Sequence, residues 1–264
     1  MLKVLYEDNH LLVVEKPVNI PVQADASGDE DLLNICKAYI KEKYGKPGEV
    51  YLGLVHRLDR PVGGAMVFAR TSKAAARLSA QFASHGAKKQ YAALVVGAPA
   101  PQEKLSGFIL RDEATGSARM VSGDAVGAKS AALEYRRLSA REGKTLLDVA
   151  LLTGRHHQIR CQLAGAGCPI WGDQRYNPDA VPGQQLALWA YALEIDHPVK
   201  QERIAFFSAP KGRAWEPFAD ELAALGAGVR LVFCDGDLLC ADKDAGVSVA
   251  DADGGDSLEA RLKR

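Results

Sequence analysis

The stretch KVLYEDNHLLVVEK, residues 3–16, decides the reading of the fold. An apolar run, the Asp8-Asn9 pair and a second apolar run from Leu11 to Val14 predict two strands closed into a hairpin. Beyond it, Pro17 and Pro21 keep the chain extended. The apolar spacing of Leu32, Leu33, Ile35, Cys36, Tyr39 and Ile40 then predicts a helix over 31–44, ended near Gly45 and Pro47. Gly63-Gly64 reads as a sharp turn before a short apolar strand at 65–69. Thr71 or Ser72 caps a helix running to about Ser84, with Ala74, Leu78 and Phe82 on one face and Gly86 closing it. Further strands are expected at 91–96, 129–138, 145–152, 186–195 and 203–207. Helices are few, strands are many, and their order does not repeat βαβ. This pattern predicts an α+β protein, a mainly antiparallel mixed sheet with flanking helices.

The hairpin sequence has an echo. KVLYEDNHLL at 3–12 recurs as RLVFCDGDLL at 230–239, a constant shift of 230 − 3 = 227, and Lys16 and Val22 fall on Lys243 and Val249. The expected organisation is a main domain over 1–218 followed by an acidic extension over 219–264 that partly repeats the first hairpin. The copy stops before any counterpart of Asp59, so it is not expected to act alone.

With 47% apolar residues in a chain of 264, a sizeable core is affordable. No run approaches the roughly 18 apolar residues of a membrane span, and the N-terminus passes straight into a charged turn, so neither a membrane segment nor a signal peptide is expected. A cytoplasmic monomer is the expectation. The five cysteines, Cys36, Cys161, Cys168, Cys234 and Cys240, are odd in number and lie in apolar stretches, which argues for buried thiols over disulfides or zinc.

The formal net charge is zero, which on its own speaks against a nucleic-acid partner. Its distribution speaks otherwise. From Asp220 to Arg264 there are 10 acidic and 5 basic residues, and subtracting these from 33 of each leaves 23 acidic against 28 basic in 1–219. Within 51–100, Arg57, Arg60, Arg70, Lys73, Arg77, Lys88 and Lys89 face a single acid, Asp59.

That acid lies in His56-Arg57-Leu58-Asp59. A carboxylate among cations is favoured in its ionised form, as a nucleophile requires, although Asp in such a run is more commonly a surface ion pair. Tyr91, opening a strand in KKQYAALVVG, offers a phenol for stacking on a base or moving a proton. TGRHHQIR, residues 153–160, reads as a helix start after a glycine, where N–H groups and the fixed charges of Arg155 and Arg160 attract an anion. GCPIWGD, residues 167–173, is a glycine-punctuated return that holds this helix against the sheet.

The four motifs, in this order and spacing and with the opening YEDNHLLVVEKPVNIPV, resemble the RluA family of pseudouridine synthases over roughly residues 2–215. The resemblance implies an α+β fold with a central active-site cleft and a cofactor-free isomerisation of uridine to pseudouridine in rRNA or tRNA. It further implies that Asp59 is the catalytic aspartate, Tyr91 the active-site tyrosine and Arg160 the arginine that pairs with the aspartate. A uridine must leave its stack to reach such a site, and Arg57, Arg60, Lys89, Arg155, His157 and Gln158 are the candidate RNA contacts. The sequence departs from the family where Val62-Gly63-Gly64 replaces the usual Thr-Ser-Gly, two hydroxyls fewer. Many relatives carry an N-terminal S4 domain; none precedes this hairpin, so recognition is expected to fall to the catalytic domain or the extension.

Two other classes compete. An inactive RNA-binding module of the same fold would not need Asp59, Tyr91 and Arg160 together. A metal-dependent hydrolase would use His56, His156, His157 and Asp59, but adjacent histidines at a helix start are expected to diverge and no HExxH spacing occurs. His10, His85 and His197 fall in turn-like positions and are expected to be exposed.

Overall fold

The computed structural model of the protein describes residues 2–226, 230–234 and 239–242. β1 (Lys3–Glu7) and β2 (Leu11–Lys16) form the expected hairpin, closed by Asp8, whose Oδ1 accepts the N–H groups of His10 and Leu11 at 2.7 Å each. α1 (Leu32–Lys43) starts on Asp31, whose carboxylate caps the Asn34 N–H. β3 (Gly53–Leu54) and β4 (Gly63–Ala69) precede α2 (Ser72–Ala83), which Thr71 caps. Then follow β5 (Lys88–Val96), β6 (Gln102–Asp112), β7 (Ser117–Val121), β8 (Lys129–Arg141) and β9 (Lys144–Leu151). After α3 (Gln158–Gly165) come β10 (Leu188–Asp196), β11 (Arg203–Phe207), a 3-10 helix (Arg213–Phe218) and α4 (Ala219–Gly226). β12 (Arg230–Cys234) and β13 (Leu239–Asp242) complete the described chain.

One eleven-stranded sheet runs β1-β2-β4-β10-β5-β9-β8-β6-β7, with β11 on β10 and β3 on β4. Every pair is antiparallel except β4 with β10, so the mixed, mainly antiparallel α+β architecture holds. Leu11 to Val14 form a continuous apolar run, fully buried, because helices cover both faces of the sheet there. Leu12 and Val14 pack with Leu32, Cys36 and Ile40 of α1, while Leu11 and Val13 pack with Ala74 and Leu78 of α2. The main core also takes in Trp215, Phe218 and Leu222, so the packed body continues past residue 218 into α4.

Several expectations change. Gly63-Gly64 is not a turn but the buried start of β4; the turn lies just before it, where the Val62 N–H donates to the Asp59 carbonyl. A Cβ on Gly63 would stand 2.3 Å from the Trp189 ring, and one on Gly64 would stand 2.2 Å from the Ala190 carbonyl oxygen. Parallel pairing of Gly63 with Trp189 and Gly64 with Ala190 requires this bare backbone. The indole thus fills the space that a serine side chain at 63 would need. The β6–β7 hairpin was not expected, because its residues are mostly exposed and lack a clean apolar alternation. His197 is buried, not exposed: its Nε2 lies 2.7 Å from Asp8 Oδ2 and its Nδ1 accepts the N–H groups of Val199 and Lys200. The buried cysteines Cys36, Cys161 and Cys168 are free thiols, and burial raises the pKa of each. Among the described residues no helix is long and apolar enough to cross a membrane.

The hairpin echo is structural. Lys3 pairs with Glu15 and Val4 with Val14, the register then shifts, and Tyr6 pairs with Val13 and Glu7 with Leu12. Adding 227 to each number gives Arg230 with Asp242, Leu231 with Ala241, a register shift, Phe233 with Cys240 and Cys234 with Leu239, which are the observed pairs of β12 and β13. The matches of Lys16 with Lys243 and Val22 with Val249 lie outside the described residues.

Candidate active site

Asp59 sits at the tip of a segment that leaves β3, turns through Arg60, Pro61 and Val62, and returns as β4. Two groups pin this turn from behind. The His56 ring stacks on Phe82, with centroids 4.5 Å apart, and its Nε2 accepts the Val67 N–H at 3.1 Å. Part of that ring reaches the cleft, but the atoms crowded around its nitrogens, with Lys89 nearby, push its pKa down to about 3. Lys16, at the buried end of β2, points its Nζ at the carbonyls of Pro17, Arg60 and Val62 at 2.8–2.9 Å. Burial draws this ammonium down to about 7, opposed by the Asp59 charge. Three carbonyl acceptors are filled only by the charged form, which has three N–H groups.

Facing the turn is a wall built from residues 153–177. Gln158 opens α3 from a buried position. Its Oε1 accepts from the Thr153 hydroxyl at 2.7 Å and the Arg155 N–H at 2.9 Å, and its Nε2 donates to the Ala132 carbonyl at 3.0 Å. The expectation that Gln158 contacts RNA gives way to this structural role. His157 takes left-handed backbone angles, φ 50° and ψ 24°, so the helix starts later than the motif suggested. Arg160 lies in the first turn of α3 and is buried. Its Nε and Nη2 each donate to Asp173 at 2.8 Å in a two-pronged pair, while its Nη1 stands 3.4 Å from Asp59 Oδ2. The Asp173 side chain is fully buried and also accepts the N–H groups of Arg175 and Tyr176. Asp59, with its side chain 24% exposed, remains open to the cleft.

The cleft between turn and wall holds about 970 Å³ and gathers Arg57, Asp59, Lys89, Tyr91, Arg155, His157 and Arg160. Tyr91 enters from β5. Burial, reinforced by the Asp59 charge, pushes its phenol well above the usual range, so it stays protonated. Arg57 is exposed, without a protein partner among the described residues. Lys89 lies 5.9 Å from the centroid of Phe82, its ammonium pulled down by burial. Arg155 donates to the Ser130 carbonyl at 2.8 Å at the rim. Arg60, by contrast, is spent on the loop before α1: its guanidinium binds the Asn19 carbonyl, Ser27 and Asp29, with Asp25 at 3.5 Å.

The sequence reading missed Asp173, Tyr176 and Lys16, and it missed Arg111 and Arg175, which also line the cleft. The only available signals were a charged residue ending each of two quoted apolar stretches. His156 and His157 do not diverge as expected. Their rings stack at 3.8 Å and 23°, and with Asp59 they form the one group of potential metal ligands, within 4.8 Å of one another, among the described residues. Burial and then the charges of Arg160, His156, Arg175 and Arg111 push the His157 pKa down to about 2. His56, the fourth residue of the metal-site reading, is committed elsewhere, its Nε2 accepting the Val67 N–H.

Comparisons with known proteins agree with this geometry. The family model described as RNA pseudouridylate synthase matches residues 10–165. The chain is 32% identical over 216 residues to the ribosomal large subunit pseudouridine synthase D of Zymomonas mobilis, covering 78% of this chain and 68% of that one. It is also 32% identical over 211 residues to the dual-specificity RNA pseudouridine synthase RluA of Salmonella typhi, covering 78% and 91%. The fold matches human RNA pseudouridylate synthase domain containing 4 with a TM-score of 0.69, at 23% identity, over 84% of this chain and 93% of that one. The chain belongs to the RluA-type RNA pseudouridylate synthases and is an enzyme that isomerises uridine in RNA to pseudouridine.

Proposed function

We propose that Asp59 is the nucleophile of this isomerisation, with Arg160 holding it ionised and aimed, on uridines of rRNA or tRNA. The observation that carries the reading is the unequal sharing of one arginine: Asp173 engages two of its nitrogens, and the third nitrogen reaches Asp59, which stays open to the cleft. A carboxylate oxygen of Asp59 attacks ribose C1′ or uracil C6. The N1–C1′ bond breaks, the ring turns, C5 bonds to C1′, and the oxygen leaves again. C5 loses its proton while N1 gains one, so the reaction needs no external redox partner. Tyr91 stacks on the ring and acts in proton movement as a neutral phenol, since burial keeps it from ionising near neutral pH.

Arg57, Lys89 and Arg155 grip phosphates beside the extruded uridine, supported by their place around the cleft. Arg60, already engaged by acidic partners, serves that purpose indirectly by holding the loop of residues 19–29. The enzyme acts as a monomer in the cytoplasm. Its catalytic domain runs from residue 1 through 218 and on into α4, and the remainder is an appended hairpin copy. The test is conversion of uridine-containing cellular RNA by purified protein. Asp59→Asn keeps the side-chain shape, so product formation should fall at least ~1,000-fold while RNA affinity is retained. Turnover within about tenfold of wild type would sink the reading.

A further inference from the structure

We infer that His157 is a positioning residue for Asp59. Held as its Nε2–H tautomer by Tyr176, it joins Arg160 in restraining Oδ2 of the carboxylate and leaves Oδ1 as the attacking oxygen. The inference rests on the reading of Asp59 as nucleophile.

The tautomer follows from counting protons. The Tyr176 hydroxyl accepts the Ala118 N–H at 2.7 Å, and its other partner is His157 Nδ1 at 2.9 Å. Among the described residues the phenolic proton has one hydrogen-bond acceptor in reach, Nδ1, and a neutral imidazole that accepts at Nδ1 carries its own proton on Nε2. Nε2 faces Asp59 Oδ2 at 3.7 Å, and Arg160 Nη1 approaches the same oxygen at 3.4 Å. The opposite tautomer would set a lone pair against a carboxylate.

The ring is also held in place. His156 stacks on one face, itself bonded to the Gly116 carbonyl at 3.0 Å, and Tyr176 meets it edge-on at 87°. The left-handed backbone at His157 is one that a non-glycine residue rarely adopts, a strain that the surroundings must impose. With its side chain only 10% exposed and Nε2 turned inward, His157 is built to face Asp59, not a phosphate. Both contacts to Oδ2 are longer than full hydrogen bonds, and they close when RNA expels water from the cleft.

The experiment is single-turnover conversion of saturating uridine-containing RNA, with Kd measured separately by filter binding. His157→Asn suits the left-handed backbone but is too short to reach Asp59. The saturating rate should fall about 10- to 100-fold, with Kd within about threefold. Tyr176→Phe frees the imidazole to take either tautomer and should cost about 3- to 10-fold. The double variant should be no slower than His157→Asn alone, because the two residues act as one unit. A raised Kd with an unchanged saturating rate would mark His157 as a phosphate contact and overturn the inference, as would losses that multiply. If His157→Asn lowers the thermal unfolding temperature markedly, Tyr176→Phe decides: an unchanged saturating rate overturns the inference and a reduced one supports it. An Asp59→Asn variant that keeps turnover would instead remove the underlying reading.

Discussion

The two walls of the cleft treat their carboxylates in opposite ways. On the α3 side, Asp173 is fully buried and accepts four hydrogen bonds, two from Arg160 and two from backbone N–H groups. On the turn side, the Asp59 carboxylate is partly open, and its polar contacts among the described residues are those of 3.4 and 3.7 Å. The difference separates a carboxylate that anchors the wall from one left accessible. A buried, multiply bonded carboxylate fixes an arginine in space, and the arginine then steadies a second carboxylate that stays open to the cleft.

That contrast can be broken most severely at Asp173. Asp173→Asn leaves the Arg160 charge buried and half-paired, which should cost about 3–5 kcal/mol of stability. Urea unfolding would register this, together with a fall in turnover from the misplaced Arg160, whereas Asp59→Asn should leave stability nearly unchanged. A loss below ~1 kcal/mol at Asp173 would mean that the pair is not what anchors the wall.

The turn side has its own anchor in His56, and pH tests it. Its folded pKa of about 3 lies below the ordinary 6.5, so the unfolded chain binds the extra proton first as pH falls. The stability from keeping His56 neutral is full above pH 6.5 and is lost as pH drops toward 3. Between pH 7.5 and pH 5 the loss is at most about 2 kcal/mol, and His56→Gln should flatten that part of the urea-derived profile. An unchanged slope in the variant would show that the ring is not the titrating anchor.

The smallest effect is expected where the turn side meets RNA. Arg57→Ala should raise the RNA Kd about 3- to 10-fold and reduce the salt slope by about one, as expected for one lost phosphate contact. A Kd that moved while the salt slope did not would assign Arg57 to base recognition.

The basic stretch 51–100 shows how far local charge counting carries. Arg70 is paired with Glu7, Arg60 with Asp25 and Asp29, Lys88 with Glu194, and Arg77 with the Pro198 carbonyl, all partners outside that window. Of the seven cations, Arg60, Arg70 and Lys88 have acidic partners among the described residues, while Arg57, Lys73, Arg77 and Lys89 keep their charge without one. A sequence window sees the charges but not the acids that folding brings to them. The glycine pair at 63–64 carries the same lesson, since glycine signals permissive backbone and does not say whether a turn or a neighbouring ring requires it.

The sequence alone determined the α+β class, the two capped helices and the first hairpin. Apolar periodicity, Asp31, Thr71 and the Asp8 turn act over a few residues and need no distant partner. The four ordered motifs also carried the family and the three residues Asp59, Tyr91 and Arg160. Only the tertiary structure decided how those residues meet: the arginine shared between Asp59 and Asp173, the contact of His157 with Tyr176, and the lysine cage behind the turn. Each depends on atoms from strands and helices far apart in the chain, joined by the long-range pairing of one sheet.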